Sequence, residues 1–178
     1  MFRWILLCMM LFAVTAQSAP LDDALRHYES GQYDQAAKAL VPLAEGGDAV
    51  AQSKLSIMYF YGHGVPEDEE LAMKWARLSA DQGNLDAMYF VGTMFVFGDE
   101  IPKTVDDPDM EAARWFFEAA SRGHTEAEYG LGLLFLAGKG VVQDQEEAIR
   151  WIQRAADSGH ATARSFLAGE RPQGHSGK

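Results

Sequence analysis

Apolar residues recur three and four positions apart along most of the chain, in paired segments separated by glycine-containing turns. The clearest pair lies between residues 125 and 159. Because residues at this spacing share one face of a helix, each segment is predicted to be an amphipathic helix, and the pair to be a helical hairpin. The positions that define the hairpin are Ala127, Leu131, Gly132 and Phe135, the turn Gly138-Lys139-Gly140-Val141, then Ala148, Trp151, Ala155, Ala156 and Gly159.

The same frame occurs three times. One copy, residues 51–83, matches the clearest hairpin 76 residues earlier, and a middle copy spans residues 87–123. A fixed period of roughly 20–50 residues is typical of stacked helical repeats, in which each hairpin buries its apolar face against its neighbours. The sequence therefore predicts an all-α repeat fold. A structural role in stacking is assigned to one tryptophan and one closing glycine per copy: Trp75, Trp115, Trp151, Gly83, Gly123 and Gly159.

The segments before and after these three copies depart from the repeat pattern. Residues 20–48 are predicted to be a divergent first hairpin, in phase with the later copies but with Ala39 in place of tryptophan. Residues 161–169 are predicted to be a terminal half-repeat helix, and residues 170–178, which lack apolar side chains, a disordered tail. Three complete repeats are predicted between them, at residues 49–84, 85–124 and 125–160.

Polar and proline signals place several helix starts. Asp68 is predicted to cap the helix whose buried face carries Leu71, Ala72, Trp75 and Leu78. In the middle repeat four extra residues lie within 99–109, where Asp107 is a predicted N-cap and Pro108 a predicted first-turn proline. The insertion lengthens a loop and leaves both helices in frame.

The first 18 residues have the composition of a secretory signal peptide. Arg3 precedes a short apolar run, residues 5–14, and small residues follow. Cleavage after Ala16 or after Ser18 is expected, and the run is shorter than the roughly 20 residues that cross a bilayer. We therefore expect a periplasmic or secreted protein with no membrane span once the signal is removed.

Charge and cysteine content narrow the function classes. The chain has 15 Lys+Arg and 26 Asp+Glu residues, a net charge of −11. A surface this acidic repels phosphate backbones, so nucleic acid is not an expected partner. Because Cys8, the single cysteine, lies in the predicted signal, the mature chain is expected to have neither disulfides nor a cysteine nucleophile.

Residues 127–159 resemble the Sel-one-like repeat, a relative of the tetratricopeptide repeat. The family pattern is roughly A-x-x-x-L-G-x-x-Y-x-x-G-x-G-V-x-x-D-x-x-x-A-x-x-W-x-x-x-A-A-x-x-G, with Phe135 here in place of tyrosine. Residues 51–83 depart from it at Ser56 and Ser79, and residues 87–123 lack the second turn glycine. Residues 31–36 (Gly-x-Tyr-x-x-Ala) are similar to a tetratricopeptide unit.

The resemblance implies an α-α superhelix, or solenoid, of helical hairpins that binds proteins through its concave face, often in exported bacterial proteins. Some periplasmic relatives restrain a membrane sensor. Some cysteine-rich relatives have been linked to β-lactam binding or hydrolysis, which is disfavoured here because the mature chain has no cysteine and no Ser-x-x-Lys motif. We expect a monomeric, non-catalytic scaffold whose partner is an envelope, secreted or sensor protein.

Candidate catalytic and metal-binding residues are few. His124 and His160 occupy the same place in successive repeats, but they are expected about one repeat apart, too far to share an ion. A structural role at a helix start is the favoured interpretation. The acidic cluster in the insertion does not match a calcium loop and is interpreted as a solvated cap and loop. No cofactor or metal site is therefore predicted; the cluster comprises Glu100, Asp106, Asp107 and Asp109.

Four aromatic residues remain after the predicted core of the first helices is assigned: Tyr61, Tyr89, Phe90 and Phe97. Two interpretations stay open for them. Exposed aromatic side chains on first helices would form a peptide-binding strip, because aromatic anchors dominate interface energetics. Alternatively they pack between repeats. Packing is favoured for Tyr89, and both interpretations remain for Tyr61 and Phe97.

Overall fold

The computed structural model describes residues 20–98 and 105–169, and these ranges contain helices and turns but no strand. The predicted signal peptide, the insertion residues 99–104 and the predicted tail lie outside the described residues. Among residues 20–98 and 105–169, no helix is long and apolar enough to cross a membrane. In chain order the helices are α1 (20–29), α2 (Tyr33–Glu45), α3 (Ala49–Tyr61), α4 (Glu69–Asp81), α5 (Leu85–Phe97), α6 (Pro108–Ser121), α7 (Thr125–Ala137), α8 (Gln145–Asp157) and α9 (Ala161–Leu167).

The chain divides into two compact units, which we call the N-terminal unit (to Gln82) and the C-terminal unit (from Gly83). In the N-terminal unit α3 packs on both α2 and α4. In the C-terminal unit each of α5 to α8 packs on the next helix along the chain. Within each unit the core is therefore a row of contacts between helices that are adjacent in sequence, as the repeat pattern predicts.

Helix starts follow the polar signals in the sequence. The predicted caps are confirmed: the Asp68 carboxylate accepts from the Leu71 N–H at 2.8 Å, and Asp107 accepts from Met110 at 3.0 Å. Pro108 occupies the first turn of α6. An N-cap carboxylate satisfies an otherwise free backbone donor and meets the positive end of the helix dipole. Asp48, Asn84 and Asp144 cap α3, α5 and α8 in the same way.

The Gly-x-Gly turns lie directly against the preceding hairpin. Gly64 and Gly140 have φ of 69° and 65°, in the region that favours glycine. A Cβ on Gly64 would lie 2.4 Å from the Tyr33 backbone carbon, and one on Gly140 would lie 2.0 Å from the Asp109 oxygen. The second glycine of each turn is therefore required for two reasons: its φ is positive, and its backbone lies against the first turn of the second helix in the preceding hairpin.

Glycines inside first helices allow close helix crossing. A Cβ on Gly92 would lie 2.5 Å from two carbons of the Phe116 ring, and one on Gly132 would lie 2.6 Å from Ile152 Cγ1. At the equivalent positions the N-terminal unit pairs Ser56 with Ala76. A larger residue on the first helix is thus accompanied by a smaller one on the second.

The tryptophans are packed to different extents. Trp115 and Trp151 are each 7% exposed, and Trp151 meets the Phe117 ring of α6 edge to face at 6.0 Å. This contact joins neighbouring hairpins, as predicted. Trp75 is only half-buried against the core of the N-terminal unit.

The buried face of α4 is rotated from the prediction. Leu78 is 40% exposed, so its assignment to the core is wrong. The buried residues of α4 are Ala72, Met73, Ala76, Ser79 and Ala80, so most of the buried face lies one position further round the helix. Small side chains are buried because they permit close helix contact, and Ser79 also donates its hydroxyl proton to the Ala49 carbonyl at 2.6 Å.

Candidate protein-binding surfaces

Two of the four predicted binding aromatics are exposed. Tyr61 is the last residue of α3 and is 55% exposed, and Phe97 is the last residue of α5 and is 73% exposed. They occupy equivalent positions of successive repeats, where the next repeat has Ala137. Most other large aromatics of first helices are buried or half-buried, so these two positions present aromatic surface to solvent.

The other two aromatics are used in packing. Phe90 is 7% exposed, which corrects its assignment as a binding residue because its ring lies in the core of the C-terminal unit. Tyr89 is half-buried and stacks on Phe116 at 5.4 Å and on His124 at 5.0 Å. Sequence spacing did not separate Phe90 from the exposed positions, since all-apolar α5 has almost no polar face to orient it.

Tyr61 belongs to a series of aromatic rings in the N-terminal unit. His63 stacks on Tyr33 at 4.5 Å and on Tyr61 at 5.6 Å, between near-parallel rings. Tyr28 meets Tyr33 edge to face at 5.7 Å, and Phe60 meets Tyr61 in the same way at 5.0 Å. We call Tyr28, Tyr33, Tyr61 and His63 the tyrosine cluster. It joins α1, α2 and the end of α3, and sequence spacing did not predict it because its members come from different hairpins.

The polar groups of the tyrosine cluster are largely unpaired within the described residues. Burial raises the pKa of the Tyr28 phenol, and the nearby phenols of Tyr33 and Tyr61 raise it further. The Nδ1 atom of His63 is buried and has no hydrogen-bond partner in this part of the chain. The Lys54 ammonium lies 5.4 Å from the centroid of the Tyr28 ring, in a cation–π contact.

An open recess of about 350 Å³ borders the tyrosine cluster at the start of α2. Its wall comprises residues 31–35 and Gly64, so Tyr33 contributes to both features. A second recess of about 440 Å³ continues along α2, where Asp34, Lys38 and Val41 meet the turn at Val65. The N-terminal unit therefore has a concave surface with mixed apolar and charged lining beside the aromatic rings.

The equivalent histidines are helix caps. The Nδ1 atoms of His124 and His160 accept the N–H groups of Ala127 and Ala163, each at 3.1 Å. Because Nδ1 accepts in this bond, the neutral ring carries its proton on Nε2. In His124 that nitrogen lies 3.2 Å from Asp86. The helix-start interpretation of these histidines is thereby confirmed.

No group of three or more His, Cys, Asp or Glu side chains is placed to hold a metal ion within the described residues. In the insertion, Asp107 is engaged as the cap of α6, whereas Glu100 lies outside the described ranges. The acidic residues described there have the geometry of a helix start.

The sequence pattern did not predict an ion pair in the C-terminal unit in which the acidic partner is buried and the basic partner half-exposed. Glu128 on α7 is 2% exposed, and one carboxylate oxygen lies 2.9 Å from the Arg154 guanidinium on α8. Arg154 also covers the Trp151 ring, with 4.5 Å between the guanidinium carbon and the ring centroid. The acidic residue stands on the buried face of its helix, a position that polar composition alone assigns to solvent.

Known proteins share this fold and its repeats. An exopolysaccharide production negative regulator of Rhizobium meliloti (strain 1021) is 34% identical over 146 residues, covering 76% of this chain and 54% of the relative. The chain thus spans about half the length of that relative. The crystal structure of a Sel1 repeat protein from Oxalobacter formigenes is 27% identical with a TM-score of 0.72, covering 83% of this chain and 57% of that one.

A second similar structure is a protective antigen present in uropathogenic Escherichia coli strains that displays an SLR fold. It is 26% identical with a TM-score of 0.74, covering 85% of this chain and 32% of that one. These likenesses confirm the predicted fold class, an all-α solenoid of Sel1-like helical hairpins. The Sel1 repeat family pattern matches residues 49–84, 85–124 and 125–160. The chain therefore belongs to the Sel1 repeat family.

Proposed function

We propose that this chain is an exported, non-catalytic interaction protein that binds another protein through the exposed faces of its first helices. The observation that carries the proposal is the exposure of Tyr61 and Phe97 at equivalent repeat positions. Large aromatic surface at a repeated, solvent-facing position supplies interface anchors at low cost in side-chain entropy. Most other repeat features, the glycines and tryptophans above all, are engaged in packing.

A regulatory role is the form of this function that we favour. A relative of 34% identity is named as a negative regulator of exopolysaccharide production. A scaffold that sequesters a partner changes that partner's activity without chemistry of its own. We propose a periplasmic or secreted location from the signal-like residues 1–18, and restraint of a membrane sensor is one instance of such regulation.

The test is partner capture with matched variants. The tagged full-length protein is expressed in its native host, and captured proteins are compared by mass spectrometry for wild type, Tyr61→Ala, Phe97→Ala and the control Met110→Ala. Met110 is 56% exposed, almost the same as Tyr61, but it lies on a second helix. We expect a specific partner to be lost from at least one first-helix variant and retained by the control.

Equal capture by all four proteins, each with wild-type circular dichroism, would refute the first-helix surface. The mass of the exported protein tests the location, because removal of residues 1–16 or 1–18 leaves distinct masses. Turnover of the chromogenic β-lactam nitrocefin by the purified chain would contradict the non-catalytic assignment.

A further inference from the structure

The ammonium of Lys54 is held beside the tyrosine cluster without a carboxylate partner. Lys54 is half-buried, whereas Lys38, Lys74 and Lys139 are exposed. Its contact with the Tyr28 ring fixes the position of the charge, and within residues 20–98 and 105–169 it forms neither an ion pair nor a hydrogen bond. A lysine ammonium has three N–H donors. The ring face attracts its charge but is not a hydrogen-bond acceptor, so the donors stay available.

Three phenol groups belong to the tyrosine cluster, whose Tyr28 ring contacts this charge. The hydroxyls of Tyr28, Tyr33 and Tyr61 have no hydrogen-bond partner in the described part of the chain. Tyr61 and Lys54 are seven residues apart on α3, so they lie on one face of that helix at a spacing of roughly 10 Å. Tyr28 meets the Tyr33 ring at 5.7 Å, and Tyr33 and Tyr61 both stack on His63, so Tyr28 and Tyr61 belong to one series of rings. The face of α1 and α3 therefore presents one cation and several hydroxyl donors around exposed ring surface.

This combination fits a carboxylate attached to an apolar group. An ammonium donates and cannot accept, and a phenol donates readily to an anionic oxygen, so the excess of donors calls for an acceptor ligand. The half-exposed ring of Tyr61 offers apolar contact beside it. A basic ligand would meet the Lys54 charge at short range. Charge complementarity is local, because the chain as a whole has a net charge of −11 and repels acidic molecules elsewhere.

We propose that the face formed by Tyr28, Lys54 and Tyr61 binds a partner peptide through a carboxylate next to an apolar side chain. The carboxylate is that of an Asp or Glu side chain or of the peptide's C-terminus. This inference rests on the proposed function, since it names the chemistry of the partner segment that the N-terminal unit takes.

The experiment titrates three short synthetic peptides into the ¹⁵N-labelled full-length protein and follows the backbone amide spectrum. The first is Ac-Gly-Phe-Glu-Phe-Gly-NH₂, the second has Gln in place of Glu, and the third is the Gln peptide with a free C-terminal carboxylate. The protein variants are Lys54→Met, Tyr61→Ala and the control Lys74→Met. Lys74 lies 5.6 Å from the Trp75 ring centroid, so its replacement removes the same charge and the same type of contact at another site.

We expect at least one carboxylate peptide to shift the amides around Lys54 and Tyr61, and the neutral peptide to bind at least tenfold more weakly. Lys54→Met should weaken the carboxylate peptide by about tenfold, corresponding to about 1.4 kcal/mol, whereas Lys74→Met should leave it unchanged. Tyr61→Ala should weaken both carboxylate and neutral peptides. Comparison of the first and third peptides identifies the source of the carboxylate.

Equal binding of the charged and neutral peptides, equal loss in the two lysine variants, or no shift near Lys54 at saturating peptide would each overturn the proposal. The capture experiment with the Tyr61→Ala and Phe97→Ala variants does not depend on these peptides and can still succeed. Failure of the carboxylate chemistry is therefore distinguishable from failure of the scaffold function.

Discussion

Replacing Gly92 by alanine should destabilise the protein, although the same change in an unobstructed helix is stabilising. Alanine is preferred over glycine in a helix interior by roughly 0.5–1 kcal/mol. At Gly92, however, the added Cβ would lie 2.5 Å from Cδ1 and Cε1 of Phe116. Both residues are buried, and Phe116 is further held by stacking on Tyr89.

The two effects differ in size. Overpacking of a close-packed core costs about 1–3 kcal/mol, which exceeds the propensity gain, so Gly92→Ala should lower the free energy of unfolding by about 1–2 kcal/mol. When Phe116 is first shortened to alanine the obstruction is absent, and the next contact is the Ala112 carbonyl oxygen at 3.3 Å. In that background Gly92→Ala should stabilise by roughly 0.5–1 kcal/mol. The coupling between the two changes is then about 1.5–3 kcal/mol.

The assay is a double-mutant cycle measured by urea denaturation, with far-UV circular dichroism and tryptophan fluorescence as probes. Phe116→Ala alone should cost about 3–5 kcal/mol from lost burial and the cavity left behind. That loss is present in both Phe116→Ala proteins, with Gly92 and with Ala at position 92, so it cancels when the two are compared. A Gly92→Ala effect of the same sign and size in both backgrounds would refute the helix-crossing argument, as would stabilisation of the wild type.

Three further predictions concern polar groups. His160→Ala should lower the free energy of unfolding by about 1 kcal/mol, because it removes the Nδ1 acceptor of the Ala163 N–H at the start of α9. His160→Asn should retain most of that stability, because asparagine caps α5 in the same way at Asn84. Equal urea midpoints of the two variants would contradict the cap. Arg154→Met should cost about 1–3 kcal/mol because it strands the buried Glu128 carboxylate. Arg150→Met, which breaks exposed pairs on the same helix, should cost about 0–1 kcal/mol, and similar urea midpoints for the two variants would count against the buried pair. The raised pKa of Tyr28 means that its contribution to stability is present below its ordinary value of 10.0 and is lost as pH rises through the folded value. Tyr28→Phe should therefore lose less stability than wild type between about pH 9 and about pH 11, and parallel loss in both proteins would contradict the assignment.

Local features were predictable from the sequence. Apolar spacing of three and four gave the helices, and Asp68 and Asp107 gave two of their starts, because capping depends on residues within one turn. Gly132 was recognisable as a position of the repeat frame. The helix crossing that requires this glycine, and the compensation between Ser56 and Ala76, became clear only from the crossing contacts.

The sequence did not predict which side chains of an apolar helix are exposed. Phe90 and Phe97 are both large aromatics of α5, yet one is 7% and the other 73% exposed. A helix that is apolar on every side gives no polar face from which to orient it. On α4, which does carry polar residues, the buried face also differs from the prediction, because small side chains and not Leu78 lie at the helix contact.

By itself, the sequence of this protein determined that it is a chain of helical hairpins of one repeat family, because repeated spacing and glycine turns act over a few residues. The tertiary structure alone decided which side chains that are distant in sequence meet: His160 with Tyr129, Glu128 with Arg154, and Lys54 with the tyrosine cluster. Those contacts depend on the angle and register at which neighbouring helices cross. Since no local pattern encodes that geometry, the candidate binding face of α1 and α3 emerged only from the fold.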